Sequence, residues 1–219
     1  MRIYTADELP QHLESGEPNP EWLNLRASRF SGSDFYLFMS LAKKNELSET
    51  AESKLYEKAL ASLGYETESG FTSAAMERGT ELESVARELY KAETFNDVQE
   101  VGFVDYESLR AGFSPDGLIF DDQGNIIKTL EIKSPMVKNY VRMATGKIPT
   151  QYIIQIQYGL FITGAESCDF VIFHPDMQLH IQEIRPDEQI QADIKTVLEK
   201  LNARYDEILA QIKRFRKND

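Results

Sequence analysis

AGFSPDGLIFDDQGNIIKTLEIKSP, Ala111 to Pro135, decides the fold class of this chain. LRAGFSPDGLIF and NIIKTLEIKSP read as short strands, and the DDQGN segment between them (Asp121 to Asn125) is a turn sequence, so the two strands form a hairpin. Side chains alternate along a strand. In LEIKSP, Leu130 and Ile132 therefore share one face and Glu131 and Lys133 the other. The apolar face can pack on a helix while the charged pair looks into a cleft. The hairpin also brings Asp116, just after Pro115, beside Glu131.

Two carboxylates a few ångströms apart repel each other and stay ionised together when a cation sits between them. Hard oxygen ligands select Mg²⁺ or Mn²⁺, bound through few carboxylates plus water and substrate phosphate. A lysine alongside can hold or help deprotonate an attacking water, or offset charge developing on phosphorus. Asp116, Glu131 and Lys133 are thus a set suited to phosphodiester hydrolysis. The competing reading is a surface salt bridge between Glu131 and Lys133, with Asp116 as a turn residue.

Working outward, the chain of 219 residues is long enough for one sizeable core, and the expectation is a single domain over 1–219. An irregular segment is expected to about residue 20. A helix should start near Ser33, a second should cover ETAESKLYEKALASLG and stop at Gly64, and a third should run from about Thr72 to Ala92. In the third, the spacing predicts a buried stripe of Leu82, Val85, Ala86 and Leu89. QEVGFVDY reads as another strand. VKNYVRMATG and PTQYIIQIQYGLFITG return to helix, SCDFVIFHP and QLHIQEIRP are strands around Asp176, and a long helix spans about 187–214. The fold class is α/β, with one central mixed sheet flanked by helices.

The formal net charge is -12, which taken alone argues against a nucleic-acid partner. Distribution qualifies this. Residues 128–150 carry Lys128, Lys133, Lys138, Arg142 and Lys147 against Glu131 alone, and the chain closes on KRFRK, Lys213 to Lys217. A basic local surface can sit on an acidic protein. Cys168 is the lone cysteine, which excludes an internal disulfide and a cysteine-ligated cluster within one chain. With no apolar run of membrane length and no signal-peptide core, the expectation is a cytoplasmic protein without a membrane partner. His12, His174 and His180 show no ligand spacing, and His174 before Pro175 reads as structural.

Four stretches, in order, resemble the lambda exonuclease family, the YqaJ-like viral recombinases on the restriction-endonuclease-like PD-(D/E)XK core. They are LRASRFSGSDF (Leu25 to Phe35), ERGTELESVARELY (Glu77 to Tyr90), AGFSPDGL with LEIKSP, and QYIIQIQYGLFIT (Gln151 to Thr163). The resemblance implies that Asp116, Glu131 and the Ile132 carbonyl ligate Mg²⁺ (Mn²⁺ substituting, two ions in all). It makes Lys133 the catalytic lysine and Gln155 the active-site glutamine, with Gln157 nearby as a DNA contact. Glu83 takes the place of an additional metal-side acid. Glu81 is its local competitor but lies about 200° around the helix. Arg26 and Ser33 fall on the residues that receive a terminal 5′-phosphate. The alternatives are a surface ion pair for Arg26 and a plain N-cap for Ser33.

The activity implied is 5′→3′ digestion of one strand of linear duplex DNA to mononucleotides, leaving 3′ overhangs. The implied partners are duplex DNA ends, two further copies in a homotrimeric ring, and a single-strand annealing protein. Two readings compete: a structure-specific or restriction-type endonuclease on the same core, and a non-catalytic DNA-binding module. One departure from the family is VDYES before SPDG, where Tyr106 stands between Asp105 and Glu107 and leaves the role of those acids open.

Overall fold

A computed structural model describes residues 1–65 and 74–216. Thr72 at the expected start of the third helix and Lys217 of the basic tail lie outside the described residues. Strands β1 (Arg2–Thr5), β2 (Phe30–Ser31), β3 (Val101–Tyr106) and β4 (Ala111–Phe113) form one four-stranded sheet in the order β1-β3-β4-β2. Strands β5 (Gly117–Phe120), β6 (Ile126–Lys133), β7 (Ser167–Ile172) and β8 (His180–Ile184) form a second, in chain order. Both are mixed: β2 runs parallel to β4 and β6 parallel to β7, while the other pairs are antiparallel. The expected single ladder is therefore two, joined where Gln99 and Leu118 exchange hydrogen bonds of 2.8 and 2.9 Å.

The β5–β6 hairpin forms as expected, with Gly117 opposite Leu130 and the turn held by Asp121, whose side chain accepts from the Gln123 and Asn125 amides. Helices α4 (Ala74–Thr94), α5 (Val137–Ala144) and α6 (Thr150–Thr163) flank this second sheet. Leu130 and Ile132 pack with Ala86 and Tyr90 of α4. On the other face, Phe170 and Ile172 pack with Tyr140 and Met143 of α5 and Ile156 and Leu160 of α6. α3 (Glu49–Ser62) and α7 (Glu188–Phe215) close a larger core over the first sheet. α6 reaches into that core because Gly159 lets the Phe113 ring lie against its backbone: a Cβ there would stand 2.6 Å from the ring.

Three expectations are corrected. The first twenty residues include β1, antiparallel to β3, whose pairing depends on a strand about a hundred residues away. A helix α1 (Pro20–Ala27) also precedes Ser33, capped by Asn19 with Pro20 in the first turn, a start signal present in the sequence. The helix near Ser33 is short: α2 (Gly32–Phe35) passes into a 3₁₀ segment at Tyr36–Ala42. There Phe35, Phe38 and Leu41 recur every three residues, the period of that tighter helix, and all are buried. Ser31, and not Ser33, occupies its N-cap position.

The third correction concerns α4. Ala86 is buried, but Val85 and Leu89 are 48% and 44% exposed. The buried face is turned by about one residue, roughly 100°, so that Ala86, Arg87 and Tyr90 face inward. This rotation presents Glu83 and Arg87 to the SPDG loop.

Candidate active site

At the C-terminal end of β6, Glu131 is 1% exposed. Its Oε1 accepts from the Lys133 ammonium and, at 2.6 Å, from Gln155 Nε2 of α6. Its Oε2 has no partner among the described residues. Asp116 precedes β5 in the position opposite Glu131. Its amide donates to the Leu130 carbonyl at 3.1 Å, and its Oδ2 accepts from the Ile132 amide at 2.5 Å. A residue's N–H and C=O leave a strand on the same edge. The Ile132 carbonyl therefore faces the Asp116 side, beyond the first residue of β5.

Arg87 ties the third acid in. Its Nε donates to the Asp116 carbonyl at 2.8 Å, its Nη2 to Glu83 at 2.5 Å, and its Nη1 pairs with Glu100 at 2.5 Å. Sequence reasoning missed Arg87. The available signal was its i,i+4 spacing from Glu83 on one helix face. Tyr152 was missed too; the Lys133 ammonium lies over its ring, 5.3 Å from the centroid. A cavity of about 260 Å³ opens beside Asp116 and Glu83, lined also by Arg87, Glu100, Gln11 and His12.

The electrostatics follow from this crowding. Burial pushes Glu131 up to about 7; Lys133 pulls it back and Asp116 adds to the rise. Burial and the Asp116 charge likewise raise Glu83 to about 7, with Arg87 opposing. Asp116 is also raised by burial, against Lys133 and the Ile132 amide. Burial alone would lower Lys133, but Glu131 and Asp116 outweigh it and hold the amine protonated above its ordinary range. Among the described residues no group of three or more Asp, Glu, His or Cys side chains converges as a complete metal cage. The donors are two carboxylates and a main-chain carbonyl, with the Glu131 oxygen left free. That set suits a hard cation which keeps part of its coordination for water and phosphate.

The remaining predicted residues divide. Arg26 and Ser33 meet, Nη2 donating to Oγ at 3.1 Å, with the guanidinium over the Trp22 ring at 5.0 Å. Gly32, the neighbour of Ser33, lies against α6 near the cluster: a Cβ there would stand 3.5 Å from Gln155 Cγ. α2 is a single short turn, so its dipole adds little, and any anion here would rely on side chains. Gln157 is not brought to the cluster. It is buried two positions round α6, where Nε2 donates to the Arg185 carbonyl and Oε1 accepts from the Asp187 amide and Gln191. Tyr158 lies with Gln155 against Gly32 and donates its hydroxyl to the Phe30 carbonyl in the core. Asp105 pairs with Arg29 at 2.7 and 3.0 Å, away from the cluster. Lys128, counted above as part of a basic segment, is spent on Asp169 and Glu183. His174 accepts from the Asp176 amide in its turn.

A sequence profile of the YqaJ-like viral recombinase domain matches residues 21–166. An alkaline exonuclease from Laribacter hongkongensis is 30% identical and superposes with a TM-score of 0.74, covering 90% of this chain and 97% of that one. Its complex with dAMP superposes at 0.75 over the same shares. A phage-related exonuclease from Haemophilus somnus 129PT, 15% identical, shares the fold at a TM-score of 0.63 over 84% of this chain and 96% of that one. No curated protein matches the chain.

Proposed function

The chain belongs to the YqaJ-like viral recombinase domain family, and from that premise we propose that it is a Mg²⁺-dependent 5′→3′ exonuclease of linear duplex DNA. It would release mononucleotides and leave 3′ overhangs for single-strand annealing. The observation that carries this reading is the buried Oε2 of Glu131, which has no partner among the described residues and is set opposite Asp116 on the Lys133 face of β6. An orphaned carboxylate oxygen in a dry site costs stability unless a ligand completes it. The dAMP complex of the Laribacter enzyme is consistent with a nucleotide product.

Asp116, Glu131 and the Ile132 carbonyl would hold the metal, with Glu83 at its side. When bound, Mg²⁺ (Mn²⁺ substituting, two ions in all) would supply Lewis-acid activation of water and neutralise phosphate charge. Gln155 fixes the Glu131 carboxylate through Oε1 and leaves Oε2 toward the metal side. Lys133 keeps its proton beside these acids, so its role is to orient the attacking water and donate to the phosphate oxygen on which charge develops. Arg26 and Ser33, paired with each other, would receive the 5′-phosphate and so set the direction of digestion. A ring of three copies and a single-strand annealing partner, implied by the resemblance, are part of the proposal.

The test is digestion of linear and covalently closed duplex DNA with and without Mg²⁺, each strand labelled at one end. Mononucleotides released from 5′ ends of linear DNA, lost with EDTA and in Lys133→Ala, are the expected result. Cutting of the closed circle would instead assign an endonuclease. Full activity of Lys133→Ala would refute the mechanism.

A further inference from the structure

Behind the Arg26–Ser33 pair lies a lysine that neither the family motifs nor the mechanism uses. Lys58 of α3 is 4% exposed. Its Nζ lies 3.5 Å from Asp34 Oδ2, longer than an ordinary charge-assisted bond. Asp34 Oδ2 in turn accepts from Ser31 Oγ at 3.2 Å, and Ser31 Oγ lies 3.5 Å from Ser33 Oγ. The path from the terminal-phosphate residues inward is therefore continuous: Arg26, Ser33, Ser31, Asp34, Lys58.

The charges along it alternate. A carboxylate stands between two cations, next to the place where the reading above puts a dianionic phosphate. Burial pulls Lys58 down to about 8, with Asp34 opposing and Lys54 and Arg26 adding to the fall. Burial lowers Arg26 too, and Asp34 opposes that fall as well. An aspartate beside a phosphate site repels the ligand unless its charge is balanced. A buried lysine is a costly way to balance it when stability alone is at stake.

We propose that Lys58 is a specificity-determining positioning residue: by neutralising and holding Asp34, it lets the Arg26–Ser33 pocket discriminate a 5′-phosphorylated DNA end from a 5′-hydroxyl end. This rests on the 5′-end reading above. Lys58 acts through Asp34 and Ser31, and its contribution is the local field rather than contact with the reacting atoms.

The experiment measures initial digestion rates at pH 7 with Mg²⁺ on one duplex carrying either 5′-phosphate or 5′-hydroxyl ends. The readout is the ratio of the two rates. Lys58→Met leaves Asp34 unbalanced and should lower the ratio about tenfold. Asp34→Asn leaves Lys58 unbalanced and should raise it. The double variant should return the ratio toward that of the wild type, and Lys58→Arg should preserve it. A purely structural ion pair predicts that both single variants move the ratio the same way. A folded Lys58→Met with the wild-type ratio would overturn the proposal. If that variant fails to fold, a ratio that falls in Asp34→Asn overturns it equally. A wild-type protein indifferent to the end group would overturn the 5′-phosphate reading itself, a failure visible before any variant is made.

Discussion

Mg²⁺ affinity should depend steeply on pH, because metal and proton compete for Glu131. A carboxyl with its pKa near 7 is about nine-tenths ionised at pH 8 and only a few per cent ionised at pH 5.5. The metal needs the ionised form, so affinity should fall roughly thirtyfold across that interval, about 2 kcal/mol. A carboxyl at its ordinary 4.5 would lose only about 10% of its ionised form over the same range. Glu83 and Asp116, raised by the same burial, make the dependence steeper. The physical cause is burial first, with the neighbouring Asp116 charge adding to it and Lys133 opposing.

The sign for stability follows. Glu131 has its folded pKa above its ordinary value, so its stabilising contribution in the metal-free protein is full below about 4.5 and is lost as pH rises through about 7. The metal-free protein should therefore melt lower at pH 8 than at pH 5.5 through this group, and Mg²⁺ should restore the loss. Titration calorimetry at both pH values, paired with melting in Mg²⁺ and in EDTA, measures both effects. Equal Mg²⁺ affinity at pH 5.5 and 8 would refute the reasoning, since it would mean that the buried oxygen of Glu131 is not a ligand.

Further outcomes follow from single contacts. Gln155→Ala removes the 2.6 Å bond that orients Glu131 and should lower kcat about ten- to a hundredfold, while DNA-end binding in a gel-shift assay stays near wild type. Tyr90→Phe takes away the 2.6 Å donor to buried Asp169 but leaves Lys128 in place; urea unfolding should show a loss of about 1–3 kcal/mol. Lys128→Ala should leave the salt dependence of DNA binding unchanged, because that ammonium is already occupied by Asp169 and Glu183. Gly102→Ala would place a Cβ 1.9 Å from the Leu9 carbonyl oxygen and force the N-terminal segment off β3. Thermal melting should register a loss of about 1–3 kcal/mol or more.

The sequence by itself determined what depends on neighbours along the chain. Period-two alternation in LEIKSP set Glu131 and Lys133 on one face, and the DDQGN turn brought Asp116 opposite Glu131, so the trio proposed for catalysis was legible without coordinates. Apolar spacing and the stop at Gly64 marked α3, and α6 and α7 were likewise read as helices. What needed distant partners was not legible. β1 exists through β3, and the strands divide into two sheets through pairings no local pattern encodes. The rotation of α4 by one residue was hidden because Val85 and Leu89 satisfy the same spacing as the true buried face. Gln155 and Gln157 look alike in sequence, yet one meets Glu131 and the other the start of α7. Arg87 and Lys58 were absent from the sequence reading for the same reason. A buried charge is placed by the opposite charges that meet it across the fold, and those meetings are made by tertiary packing.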